Sequence, residues 1–189
     1  AMRRAVAGAL LGLTAAVEGV AALRRFQTRK DTFAAAQRRA VALGRTLVVV
    51  GDPDAGLHTR LARAYPCGDV CVDLHGCPAC PVQVVADLTK DRLKFADDSV
   101  VVFASCVLEY VGDLRPAMDE LMRVAGPDNL FIVTVQPWTI TAALYPGATW
   151  RDVSREHDAF AMERVSRVRK AMYAGTLAAL LAGVVIPER

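Results

Sequence analysis

Two aspartates close short apolar runs, Asp73 after VCV and Asp87 after VVA, and an acidic loop, Gly51-Asp52-Pro53-Asp54-Ala55-Gly56, follows TLVVV. A carboxylate at the end of a strand can accept two hydrogen bonds from a ligand. One that ends the second strand of an open parallel sheet is placed to hold a ribose diol, and one that ends the third can reach the attached base. In the loop, Gly51 and Gly56 permit a tight turn and close approach of backbone to ligand. No Gly-Lys-Ser/Thr follows and two acids repel phosphate, so this is not a P-loop; a cationic or zwitterionic ligand suits it better. Read singly, Asp73 and Asp87 also fit as turn or helix-capping residues, and the loop as an acidic strand-to-helix turn. Their joint placement favours a binding site.

The cysteines are a second source of chemistry. Four of the five crowd with His75 into CGDVCVDLHGCPAC (67–80), and the fifth is Cys106. Zinc needs about four ligands in a tetrahedron, which Cys67, His75, Cys77 and Cys80 would supply if the loop folds back; Cys71, in mid-strand, points into the core. The spacing differs from the paired CxxC knuckles of ribbons and fingers. CPAC is similar to a thioredoxin-type pair, yet it follows the second strand instead of opening a helix near the first. A Cys67–Cys77 or Cys77–Cys80 disulfide requires an oxidising compartment. The expectation is reduced cysteines packing a tight loop, with no resident metal.

These residues must be held by a sheet. TLVVV (46–50), VCVD (70–73), VQVVAD (82–87), SVVVFA (99–104) and LFIVTVQ (130–136) read as five strands. Their continuous β-branched runs alternate with helical segments, as in a parallel sheet covered on both faces. LHTRLARAY (57–65) predicts a helical turn or two. RPAMDELMRVAG (115–126) predicts a helix with Asp113 near its start, Pro116 in the first turn and Gly126 at its end. DTFAAAQRRAVALG, from Asp31 to Gly44, predicts a short helix. Residues 137–189 read mostly as helix, with Val153, His157, Phe160, Val165, Val168 and Met172 at roughly helical spacing, better explained by core packing than by a site. The expected fold is a doubly wound, Rossmann-like α/β sandwich of about five mostly parallel strands.

The 189 residues, 53% hydrophobic and 23% charged, fit one ordinary domain plus an extension and exclude disorder as the main state. Aromatics at 6% speak against a protein that stacks single-stranded nucleic acid. Residues 1–40 hold eight basic and two acidic side chains, whereas the remainder is slightly acidic. A nucleic-acid-binding domain carries its positive charge on the folded body, so no nucleic-acid partner is expected. The run AVAGALLGLTAAVEGVAAL (5–23), interrupted only by Thr14 and Glu18, is long enough to span a bilayer, with arginines at both ends meeting head groups. Residues 1–30 are thus expected as a membrane anchor and 31–189 as the folded domain. The cations after the run, Arg24, Arg25, Arg29 and Lys30, outnumber Arg3 and Arg4 and favour a cytoplasmic domain. The alternatives are a soluble cytoplasmic protein whose N-terminal helix packs on the domain against Ala174 to Ile186, and a cleaved signal peptide.

The stretch ADLTKDRLKFADDSVVVFASCVLEYVGDLRPAMDELMRV (86–124) resembles the signature of class I S-adenosylmethionine-dependent methyltransferases of the type 11 group. Those enzymes show an acid after the third strand, a segment like LPFxDxSFDxV, a "vLeHv"-like stretch and a helix before the fifth strand. VCVDLHGCP (70–78) is similar to their V-D-x-S-P. The resemblance covers roughly residues 46–136. It implies S-adenosylmethionine as cofactor, with Asp73 on the ribose hydroxyls, Asp87 beside adenine, and Gly51, Asp52 and Gly56 against the methionine portion. The chain departs from the family pattern at Val49, where an acid is usual, at Gly51, Pro53 and Gly56 in place of Gly-x-Gly-x-Gly, and at Val101 in place of an aspartate. Its sixth and seventh strands are not evident.

A sulfonium is already an activated electrophile, so the protein chiefly aligns the acceptor and removes a proton. Glu109, Tyr110 and His58, near the strand ends, are the candidate proton acceptors. The implied function is methyl transfer to a small-molecule or lipid substrate at or near a membrane. The alternative is a catalytically inactive structural or interaction module that kept the fold.

Overall fold

The computed structural model describes residues 2–55, 64–111, 114–134, 149–153 and 160–163, with the side chains of residues 1–5, 7, 10, 109, 149–153 and 160–163 outside that description. The predicted turns at 57–63, residues 135–136 of the predicted fifth strand, and Gly56, His58, Asp113, His157, Val165, Val168, Met172 and Ala174–Ile186 lie outside the described residues.

Five short β-branched runs form an all-parallel sheet: β1 (Thr46–Val50), β2 (Val70–Asp73), β3 (Gln83–Val85), β4 (Val100–Ser105) and β5 (Leu130–Val133). The order is β3-β2-β1-β4-β5. In β1, Val48 faces both Val70 and Val102, so this strand is the centre from which the chain builds first to one side and then to the other. β1 and β2 coincide with the predicted strands, β4 lies one residue later, and β3 and β5 are shorter, β5 ending at Val133. The edge position of β3 leaves Gln83 and Val85 exposed, so burial there does not prolong it.

The period of two along each strand sorts the core into two layers. Val48, Val50, Val72, Val100, Val102 and Ala104 pack with Leu114, Ala117, Met118, Leu121 and Val124. Those last five belong to α2 (Leu114–Ala125), whose apolar residues recur at three and four positions. Leu47, Val49, Cys71, Val101 and Phe103 face the opposite way and pack with Phe33, Ala36 and Ala40 of the N-terminal helix α1. Helices therefore cover both faces. Among them Phe33 stacks on Tyr65 and meets Phe103 edge-on, with ring centroids 5.9 and 5.4 Å away.

In α1 (Met2–Leu43), 42 residues run without interruption where the sequence predicted an apolar run followed by a separate helix from Asp31. Asp31 does not cap: its carboxylate accepts from Gln27 Nε2 at 2.9 Å, an i,i+4 pair that continues the helix through the expected break. The helix stops at Gly44, where φ is +60°, with Gly44 N–H donating to the Val41 carbonyl and Arg45 N–H to that of Ala40. This is a Schellman cap, which needs a left-handed residue.

Among the described side chains of α1, the buried ones begin at Ala21. Ala21, Arg25, Phe33, Ala36 and Ala40 are buried, whereas Leu13 and Leu23 are 63% and 71% exposed and Val6, Val17 and Val20 are exposed as well. Among the described residues no helix is long and apolar enough to cross a membrane. Arg25, expected at head groups, is buried and Arg29 half-buried. Both continue the spacing of Phe33, Ala36 and Ala40, so the helix turns them toward the domain.

In the segment read as helix, β6 (Thr149–Val153) and β7 (Phe160–Glu163) form a separate antiparallel pair. Val153 and Phe160 are register partners in it, so their helical spacing carries no helix. Helical and alternating patterns coincide over so few apolar positions.

Candidate functional site

The order of strands reverses beside β1, and the loops leaving β1, β2, β3 and β4 rise at the same edge of a parallel sheet, the carboxyl edge where such folds bind ligands. Gly51 follows β1 with φ of +93° and its N–H donates to the Val72 carbonyl at 2.8 Å. A side chain is disfavoured twice over, because a Cβ there would also stand 3.2 Å from Cβ of Val107, in the loop after β4, which would have to give way. The backbone then turns so that Asp52 N–H reaches Asp73 Oδ2 at 3.2 Å, while Asp52 Oδ1 accepts the Asp54 N–H at 2.9 Å. Pro53, which has no N–H, is buried.

Asp73 ends β2. Its Oδ1 accepts the His75 N–H at 2.8 Å and its Oδ2 accepts Asp52 N–H, so each oxygen carries one backbone donor. With about four lone-pair sites per carboxylate, roughly two acceptor positions remain on Asp73. The structure thus joins Asp73 and the first loop as expected.

Asp87 is more fully engaged. Oδ1 accepts both the N–H and the hydroxyl of Thr89, at 3.0 and 2.6 Å, and Oδ2 accepts Lys90 Nζ at 2.7 Å. These contacts close the turn after β3, and roughly one acceptor position remains. The Lys90 ammonium and the two Thr89 donors hold the carboxyl at about 2, well below the usual range, and Asp87 in turn raises the Lys90 pKa.

Beyond that turn, residues 93–97 are clamped onto α2 by Arg123. Its guanidinium donates to Glu120 at 2.8 and 2.6 Å, to Asp97 at 2.6 Å and to the carbonyls of Phe95 and Leu93 at 3.0 Å each. Leu93 N–H returns to Glu120 Oε1 at 2.7 Å.

After β4, Cys106 adopts φ of +52° and donates its N–H to the Val133 carbonyl, and the short 3₁₀ turn Leu108–Tyr110 follows. Tyr110 is 60% exposed. Glu109 lies on the same turn, with its side chain outside the described residues, as are Gly56 and His58.

Sequence reasoning missed Tyr65 and Arg29. Tyr65 is buried, which raises its phenol pKa, and Arg29 of α1 and Ser105 of β4 offset part of that rise, with Cys106 and Asp52 also acting on it. The N-terminal helix thereby contributes a cation that acts on Tyr65. The detectable signal was Arg25 and Arg29 standing eight and four residues before Phe33.

The cysteine region also differs from expectation. Cys67 is bonded to Cys80 and Cys71 to Cys77, so all four are oxidised and neither expected pairing occurs. The remaining thiol, Cys106, is buried. His75 is exposed, and it is Cys71 whose sulfur lies within 4.8 Å of those of Cys77 and Cys80. Comparison with protein-family models, curated proteins and solved structures yields no match.

Proposed function

We propose that this chain binds S-adenosylmethionine at the carboxyl edge of its sheet and is a methyltransferase acting at or near a membrane on a small-molecule or lipid acceptor. The observation that carries this reading is Asp73. It ends β2, the neighbour of the strand at which the order reverses, it is tied to the loop after β1, and it keeps an acceptor position on each oxygen. Two hydroxyls of a ribose match that pair of positions. The position left on Asp87 suits the exocyclic amine of adenine. Asp52, with Gly51 and Gly56, would face the ammonium end of the methionine portion.

When bound, the cofactor supplies an activated methyl group. This chain's residues then need to orient the acceptor and accept a proton, roles assigned to Tyr110 and Glu109 on the turn after β4 and to His58 beyond the first loop. Residues 5–23 are the proposed membrane contact, supported by the outward apolar side chains Leu13, Val17, Val20 and Leu23.

A second reading, an inactive module with this fold, is favoured by the closeness of Val107 to Gly51, where an added Cβ would stand 3.2 Å from the Val107 side chain, so that the first and fourth loops lie together. Calorimetry and thermal melts with S-adenosylmethionine and S-adenosylhomocysteine separate the two. Ligand at about a hundred times Kd stabilises by about 2.7 kcal/mol, a rise of about 5–10 °C in Tm for a chain of this size. Neither heat nor a shift at millimolar ligand would leave the module reading.

A further inference from the structure

We infer that Cys67, Cys71, Cys77 and Cys80 form one zinc site when reduced, and that the two disulfides are its oxidised, metal-free state. The four sulfurs come from three separately anchored pieces of chain. Cys71 sits on β2 between β1 and β3, paired with Val49 and Gln83, and is fully buried. Cys77 and Cys80 occupy one tight turn, closed by Cys80 N–H on the Cys77 carbonyl at 2.9 Å. That turn is tied to β3 by Cys77 N–H on Gln83 Oε1 at 2.8 Å. Cys67 leads into β2.

The sulfurs of Cys71, Cys77 and Cys80 all lie within 4.8 Å of one another, and Cys67 joins them through its bond to Cys80. A zinc ion with sulfurs at about 2.3 Å in a tetrahedron sets neighbouring sulfurs about 3.8 Å apart. Within that trio the non-bonded pairs, Cys71 with Cys80 and Cys77 with Cys80, are therefore at most about 1 Å too open, and each bonded pair has only to part to non-bonded contact. The Cα separations, 5.5 Å for Cys67–Cys80 and 6.3 Å for Cys71–Cys77, leave each pair close enough to grip one ion from fixed backbone. Four soft thiolates in a tetrahedral set select zinc over hard cations. Cys71 thus takes the place that the spacing alone gave to His75.

The chemistry balances. Two molecules of a dithiol reductant deliver four electrons and four protons to the two disulfides and leave as two disulfides themselves. Zinc then displaces four protons from the four thiols. Oxidation by two equivalents of a two-electron oxidant such as diamide reverses this, re-forming the disulfides and expelling the ion. Cys71 Sγ lies 3.7 Å from the Gly51 carbonyl oxygen, so the cluster backs the first loop.

The test uses the full chain reduced with dithiothreitol, supplied with zinc chloride and desalted into metal-free buffer. About one zinc per chain is expected, retained in His75→Ala, with cobalt in its place showing the thiolate charge-transfer absorption of a tetrahedral site. Diamide should release the zinc to a chromophoric chelator as four thiols disappear. Cys71→Ser should bind zinc at least tenfold more weakly. Should that variant fail to fold, the metal and thiol counts of the unaltered chain decide. Reduced protein that retains no zinc, loss of zinc in His75→Ala, or zinc that stays after the thiols are oxidised would each overturn the inference.

Discussion

Arg123→Met replaces the guanidinium that pins residues 93–97 to α2 while keeping an apolar stem of similar length. Arg123 is 17% exposed in its side chain and Glu120 12%, whereas Asp97 is 72% exposed. Losing the Asp97 contact therefore matters little, about 0.5 kcal/mol, because that carboxylate rehydrates. Glu120 is different: it keeps the Leu93 N–H but becomes a mostly buried carboxylate without its cation, at about 1–3 kcal/mol. The carbonyls of Phe95 and Leu93 lose charged donors, roughly 0.5 kcal/mol each where the exposed Lys94 between them admits water. The total is about 3 kcal/mol, or a fall of about 6–12 °C in Tm.

Urea unfolding followed by circular dichroism at pH 7 and pH 4 checks this. Arg123 holds the Glu120 pKa below its ordinary value, so the folded pKa lies under the unfolded one. The stabilisation is then full above about pH 4.3 and fades as pH falls through the folded value. The gap between Arg123→Met and the unaltered chain should accordingly narrow on acidification. Adding Glu120→Gln, which removes the stranded charge and keeps an acceptor for Leu93 N–H, should recover about 1 kcal/mol. A gap under about 1 kcal/mol at pH 7, or one that widens toward pH 4, would refute the reasoning.

Phe33→Ala should destabilise by about 3–5 kcal/mol in urea, since the ring fills the contact between α1, Tyr65 and Phe103; a loss under 1 kcal/mol would mean that α1 does not depend on that docking. Gly51→Ala meets both a positive φ and the Val107 side chain, and should lower stability by about 1–3 kcal/mol in the same assay. Asp73→Asn should weaken S-adenosylhomocysteine binding about 10–100-fold in calorimetry, the equivalent of one hydrogen bond to a charged acceptor; an unchanged Kd removes Asp73 from the site. In an NMR titration Asp87 should change charge at about 2 and move up in Lys90→Met. Whatever stability that pair brings is present above the ordinary aspartate value and is lost as pH falls toward 2.

The candidate site was only partly legible in the chain. The position of Asp73 and of the first loop at strand ends was legible because a strand's end is marked locally, by a run of valines stopping at a polar residue. The position of Asp87 was legible the same way, but not its engagement by Thr89 and Lys90, because a free aspartate and one closing its own turn read alike in sequence. Arg29 was counted only with the cations after the apolar run, while its spacing to Phe33 and Ala36 sets it on the face of α1 that packs on the domain.

The sequence by itself determined the five strands, their central place in the fold and the helix before the last of them. Continuous β-branched runs and an apolar repeat at three and four positions are short-range patterns, readable within one element. Tertiary structure alone decided that α1 is one helix packed on the sheet through Phe33, Ala36 and Ala40, and that residues 149–163 contain paired strands. It also decided that Cys71 joins the cysteine cluster in place of His75. Those outcomes depend on which segments meet in space, which no single element's pattern fixes. They are set when the sheet brings β2, its neighbours and the following turn together, and no local pattern encodes such contacts.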